Sequence, residues 1–338
     1  MDIRDIARIS GYSLGTVSRV LNDHPNVSDK ARERVLEVVK EYGYEPNGNA
    51  RHLKMQQKTS VTVFVKSTSN LLFADILEHV QSYLAAKNEG ANVVYLDENE
   101  NEVLRALRYR QSRNPKGMLF LGGQTAYFKQ DFSAIDVPCV MVTSSAEDLD
   151  FPNLSSVSTN DFDAATEMID ALYGSGHRRI GIIGGNLDSG QVGYQRVKGA
   201  TEALRSHGIE FDFNRDYEPC RYSMNDGYEA LVRLMMRSPD LTAVFALSDV
   251  IALGIIRAVA DLGRSVPDDL SVAGFDGIVL SQFSVPRLMT IRQDTTRLAE
   301  TSVRILLDAI AGASCEPIHE YVPHYLFRRE SVRELPIA

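Results

Sequence analysis

Between Gly11 and Asn22 the chain reads GYSLGTVSRVLN. Ser13, Thr16, Ser18 and Asn22 offer short hydrogen-bond donors and acceptors, and Arg19 offers a guanidinium. That set suits phosphate oxygens and base edges. Leu14 can touch a thymine methyl, whereas Gly15 presents no side chain at all. Val17, Val20 and Leu21 fall at i, i+3, i+4, so the polar set lies on the outer face of a short helix. A second group follows Pro46 in NGNARHLKMQQ. Asn47 can cap a helix from Gly48 through Lys54, too short to be stable alone in water. There Leu53 sits between Arg51 and Lys54, an apolar residue flanked by cations, which is what a minor-groove wedge needs. A linker carrying one exposed leucine fits the same letters.

Three short helices must position the first group. Ile3, Ile6 and Ala7 form one stripe behind Asp2. The turn Gly11-Tyr12-Ser13 leads into the second helix, with Ser13 as its cap. Ser28 caps a third, whose apolar positions are Ala31, Val35, Val38, Val39 and Tyr42, and Gly43 ends it. Helix, glycine-containing turn, helix is the helix-turn-helix pattern, whose second helix meets base edges in the major groove. A three-helix bundle with a solvated polar face shares this pattern. Charge favours the DNA reading: residues 1–58 hold 10 Lys and Arg against 8 Asp and Glu, +2, while the remainder holds 26 against 37, −11. A net charge of −9 therefore conceals a locally basic amino-terminal segment, and phosphate attraction depends on the charge near the contact.

The chain of 338 residues allows two or three compact units, at roughly 100–200 residues each. Beyond residue 59, short apolar runs alternate with amphipathic helices. Strands are expected at 61–65, 92–96, 117–122, 137–142, 179–184, 243–248 and 270–275. Helical stripes are Phe73, Ile76, Leu77, Val80, Leu84; Ala165, Met168, Ile169, Leu172; and Val303, Leu306, Leu307, Ile310. Continuous apolar strands between helices imply parallel sheets covered on both faces. Two such series imply two α/β lobes, with a ligand crevice at the carboxyl ends of the strands. Asp276, in GFDG after a strand, is a carboxylate placed to accept two hydroxyls; a helix-capping aspartate is the alternative. No phosphate-loop lysine accompanies GGNLDSGQVG, and His177 in GSGHRR reads as structural. No catalytic set, metal-ligand spacing or cofactor motif emerges. Cys139, Cys220 and Cys315 are far apart and read as reduced thiols. No apolar run approaches the ~20 residues of a membrane span. The charged start MDIRDIARIS shows no secretory signal, so a cytoplasmic protein without membrane contact is expected.

The motifs TVSRVLN, VSDKARERV and GYEPNGNARHLK together resemble the DNA-binding headpiece of the LacI/GalR family of bacterial transcription regulators. The body resembles the same family through GSGHRRIGIIGG, YQRVKGATEAL, LSDVIALGIIRAVADLGRSVPDDLSVAGFDGI and PRLMTIRQDTTRLAETSVRILLDAI. The resemblance implies an all-α helix-turn-helix headpiece (1–46), a hinge helix and linker (47–58), and an α/β periplasmic-binding-protein-like body (59–338). The body would hold two doubly wound parallel-sheet lobes, one of about 60–158 plus 291–320, the other of about 159–290 plus 321–338. It implies that Leu14, Gly15 and Arg19 read bases, that Ala50 and Arg51 lie at the minor groove, and that Leu53 intercalates. The expected partners are near-palindromic double-stranded operator DNA, a second copy of the chain, and a small carbohydrate effector. A two-lobed sugar-binding protein without a regulatory role is the alternative; an α/β enzyme lacks a catalytic set.

By the same resemblance Arg196 binds the effector through paired N–H groups, a surface salt bridge being its alternative; Phe73 is an aromatic on the cleft or else simply the first core residue of its helix; Tyr222 stacks on the ligand; and Gln293, at a crossover, could reach the cleft. Three places depart from the family's common pattern. Thr143-Ser144 replaces an acidic residue, Ser248-Asp249 replaces Asn-Asp, and Asn160-Asp161 inverts Asp-Asn. Thr143, Ser248 and Asp161 remain candidate effector contacts, but the ligand they admit is not that of a more acidic cleft.

Overall fold

A computed structural model describes residues 3–21, 27–42, 60–67, 70–185, 187, 192–313 and 316–336. The chain divides into two compact units, Met1–Gln57 and Lys58–Ala338. In the first, α1 (Ile3–Ser10), α2 (Leu14–Leu21) and α3 (Asp29–Glu41) pack against one another. Ile6, Val17, Val20, Val35 and Val38 form their core, with Ala31 also buried. The Ser13 hydroxyl accepts the Thr16 N–H at 3.2 Å, capping α2. Ser28 differs from expectation: it holds the N-cap position of α3 without a side-chain hydrogen bond. Its carbonyl instead receives the N–H groups of Ala31 and Arg32.

The second unit begins with β1 (Val61–Lys66), α4 (Leu71–Ala86), β2 (Ala91–Leu96), α5 (Glu102–Arg113), β3 (Gly117–Leu121), α6 (Thr125–Asp131), β4 (Cys139–Val142) and β5 (Leu154–Thr159). It continues with α7 (Asp161–Gly174), β6 (Ile180–Ile183), α8 (Val192–Ser206), α9 (Phe213–Asp216), β7 (Tyr217–Glu218), α10 (Met224–Arg237), β8 (Ala243–Ala246), α11 (Asp249–Asp261), β9 (Ser271–Asp276) and β10 (Met289–Gln293). It closes with α12 (Thr295–Ile310), β11 (His319–Val322) and β12 (His324–Phe327). One six-stranded sheet runs β2-β1-β3-β4-β5-β11, all pairs parallel. The other runs β7-β6-β8-β9-β10-β12, parallel except that β12 joins β10 antiparallel.

The chain passes between the sheets after β5, after β10 and between β11 and β12. β10 keeps 291–293 with the second sheet and β11 keeps 321–322 with the first, so those two crossings fall later than 291 and 321. The stripe of α4 is buried throughout: Phe73, Ile76, Leu77, Val80 and Leu84, together with Leu72. Each such side chain contributes roughly 1.5–3 kcal/mol of burial. Among the described residues no helix is long and apolar enough to cross a membrane. His177 is fully buried; its Nε2–H donates to the Arg333 carbonyl at 3.1 Å and its Nδ1 faces the Thr242 hydroxyl at 3.0 Å.

Candidate functional site

The outer face of α2 is open. Leu14 is 47% exposed, and Gly15 and Arg19 are exposed as well. A methyl built on Gly15 would have the Ser13 hydroxyl, 3.8 Å away, as its nearest neighbour. The Ser13 and Thr16 hydroxyls lie 2.9 Å apart on the same face. The Ser18 side chain and all of Asn22, Asn47, Ala50, Arg51, Leu53 and Lys54 lie outside the described residues.

In the body, a cavity of about 310 Å³ opens between the two sheets at the carboxyl ends of their strands, where open α/β sheets bind ligands. Phe73, Thr143, Arg196, Tyr222 and Asp276 line it. Arg196, on α8, is its buried anchor. Its Nε donates to Asp161 Oδ1 at 2.7 Å and one terminal nitrogen donates to the Leu247 carbonyl at 2.6 Å. That nitrogen also lies 3.4 Å from Asp276 Oδ1, and the guanidinium stacks 3.7 Å over the Phe275 ring. Asp161 is free for this pairing because Asn160 takes the capping role, accepting the Asp163 N–H.

Asp276 ends β9 in a left-handed backbone conformation, φ 107°. Its Oδ2 accepts from the Ser248 hydroxyl at 2.9 Å and its Oδ1 from the Gln293 amide at 2.8 Å. Gln293 in turn accepts from Thr159 at 3.0 Å. Ser248 and Gln293 are thus placed behind Asp276 and do not line the cavity; Gln293 does not reach the cleft as expected, because it is buried with its amide oxygen held by Thr159 and its amide nitrogen by Asp276. Asp161 borders a second chamber of about 220 Å³, with Gln195, Phe162 and Tyr321, which shares Ser144 with the first. Ser67 and Thr143, with φ 62° and 71°, also line the main cavity. Such backbone costs of order 1–3 kcal/mol per residue and clusters at ligand clamps.

Burial pushes the Asp161 and Asp276 carboxyls above the usual range, and the Arg196 guanidinium opposes that rise. Arg196 itself is raised: its burial works against the charge, and Asp161 and Asp276 overcome it. Asp249, buried behind Asp276, is raised well above the usual range by burial and then by Asp276. Burial also raises the Tyr222 phenol, whose hydroxyl has no hydrogen-bond partner among the described residues.

Several lining residues escaped the sequence reading: Lys66, Asn70, Glu98, Gln124 and Arg221. Asn70 caps α4 through its oxygen, which leaves its amide NH2 available to the cavity. Arg221, on the second lobe, donates to Glu98 of the first at 3.2 Å. Lys66 ends the otherwise uncharged strand VTVFVK, a lone charge at a carboxyl end, and that was the available signal. Among the described residues no group of three His, Cys, Asp or Glu is placed to hold a metal ion.

A three-helix unit with an exposed α2 face, together with a two-lobed body around a cleft, is the architecture of a ligand-responsive DNA-binding regulator. Residues 2–47 match the family described as bacterial regulatory proteins, lacI family, and residues 169–332 match the periplasmic binding protein-like domain. The chain is 32% identical over 316 residues to the HTH-type transcriptional regulator MalR of Clostridium butyricum, covering 92% of this chain and 93% of that one. It is 29% identical to catabolite control protein A of Priestia megaterium over 98% and 99% of the two chains. The solved complex of the transcriptional regulator CelR with cellobiose superposes with a TM-score of 0.70 at 27% identity, over 98% of this chain and 99% of that one. The chain belongs to the LacI family of bacterial transcriptional regulators.

Proposed function

We propose that this regulator is a repressor of carbohydrate-utilisation genes that binds near-palindromic operator DNA as a homodimer, with operator affinity set by a small carbohydrate in the cavity between its lobes. The observation that carries this reading is the cavity wall itself. Arg196, Asp276 and the Tyr222 hydroxyl, unpartnered among the described residues, offer donors and acceptors over a floor that includes Phe73, the mixed polar and aromatic lining that hydroxyl-rich rings need. The likeness to the CelR–cellobiose complex supports the ligand class. Lobes that close about three crossings supply the switch. Self-association is supported by an exposed apolar patch on the second lobe, Val279, Leu280, Phe283 and Val285, the last 90% exposed; large exposed apolar patches mark interaction sites.

The test is selection of DNA from a randomised pool by the full chain, with footprinting of the winners. A near-palindromic site is expected, and cellobiose or another sugar from a panel should change its occupancy. Gly15→Gln should shift the selected sequence, and Leu53→Ala should weaken occupancy while sugar binding persists. Failure of any palindrome to be enriched, with and without sugars, overturns the reading.

A further inference from the structure

Among the described residues that border the main cavity, every cation has its carboxylate. Arg196 has Asp161 and Asp276, and Arg221 has Glu98. Lys66 has Glu102, with Nζ 2.8 Å from Oε2. The Lys66–Glu102 pair is buried at both ends, with side-chain exposures of 9% and 1%. Such a pair is a weak source of stability, because removing both charges from water offsets their attraction, and apolar side chains of similar volume do as well or better. Its placement suggests its use. Lys66 ends β1 and lines the cavity; Glu102 opens α5 and does not, and its Oε1 accepts the Gln124 N–H. An ammonium carries three N–H donors, more than one carboxylate oxygen takes up.

We propose that Lys66 is a specificity-determining residue of the effector site, and that Glu102, by matching its charge, makes the cavity select an uncharged, hydroxyl-bearing ligand over a sugar phosphate or sugar acid. This rests on reading the cavity as a carbohydrate site. A hydroxyl accepts from Lys66 and donates to Asp276 without bringing charge. An anionic ligand gives up its hydration and finds each bordering cation already matched by a carboxylate, so no bare positive charge repays that loss. Specificity here arises as much from what the wall repels as from what it binds.

Calorimetric titration of the full chain tests this with D-glucose, D-galactose, D-ribose and cellobiose, set against glucose 6-phosphate, ribose 5-phosphate and D-glucuronate. A neutral sugar should bind at least about tenfold more tightly than its anionic counterpart, the scale of one lost or unmatched buried hydrogen bond. Glu102→Gln frees the ammonium and should narrow or invert that ratio. The double variant Lys66→Met/Glu102→Gln keeps the wall neutral, so it tests the donor without leaving a bare buried charge. It should lose about tenfold in neutral-sugar affinity. An anionic sugar that binds the unaltered chain as tightly as its neutral counterpart overturns the proposal. So does a ratio unmoved by Glu102→Gln together with a neutral affinity unmoved in the double variant. If neither neutral nor anionic probes bind, the carbohydrate reading of the cavity itself falls.

Discussion

Along and behind the wall supplied by the second lobe, Arg196, Asp161, Asp276, Ser248 and Gln293 are joined in one continuous hydrogen-bonded web, which reaches Thr159 of the first lobe through Gln293. On the wall supplied by the first lobe, the polar groups come in separate small sets. Lys66 meets Glu102 and lies 5.1 Å from the Tyr127 ring, Ser144 donates to the Gly123 carbonyl, and Asn70 caps its own helix. The web is expensive to alter one residue at a time, since each member leaves others buried and unmatched. The separate sets can be exchanged locally. A fixed anchor facing an adjustable wall is an economical way to keep one switch while changing its ligand.

The largest effect should come from cutting the web at its only cation among the described residues, with Arg196→Met. Two buried carboxylates, Asp161 and Asp276, lose their partner, and breaking a buried pair on one side costs about 3–5 kcal/mol. The sign with pH is fixed by the raised carboxyl groups. A folded-state pKa above the unfolded one gives stability that is present below the unfolded value and lost as pH rises through the folded one. The variant's deficit, measured by chemical denaturation, should therefore shrink as pH falls from 7 toward 4. A deficit that stays constant over that range would mean that the carboxylates find other cations.

The first lobe's wall should break more gently, and Gly122→Ala probes it. Gly122 has φ +84°, and a methyl placed there would lie 2.6 Å from Cζ of Phe73. The ring must move into the cavity and the alanine must hold a left-handed conformation, together about 1–3 kcal/mol. Lower stability together with weaker sugar binding is expected by thermal denaturation and titration. Unchanged sugar affinity would show that Phe73 forms no part of the ligand's floor.

The same contrast explains what could be read in the sequence. Arg196, Tyr222 and Asp276 stand in distinctive motifs, whereas Glu102 lies in the polar run NENEV and nothing in that run marks it as buried. The sheets show the same divide. The apolar runs were legible as strands, but β5, LSSVST, was not, because its serines and threonine look like a loop. All are buried, and several are matched: Ser155 takes the Ile318 N–H, Ser156 takes the Ala146 N–H, and Thr159 donates to Gln293. Two of these partners lie more than a hundred residues along the chain, where periodicity has no reach. β7 has two residues, and β11 and β12 are edge strands with exposed positions, so neither length nor alternation separates them from turns.

The smallest effect on stability, and the sharpest on function, belongs to Tyr222→Phe. The hydroxyl of Tyr222 is buried without a partner among the described residues, and a buried unsatisfied polar atom costs about 1–3 kcal/mol. Removing it should leave the ligand-free protein as stable as before, or more stable by up to about 1 kcal/mol. A sugar that supplies the missing partner should then stabilise the variant less than it stabilises the parent. The two melting curves, with and without sugar, should move toward each other from both sides. A drop in ligand-free stability would instead place a partner on this hydroxyl before any ligand arrives. It would then be one more strand of the second lobe's web, and the contrast between the two walls would deepen.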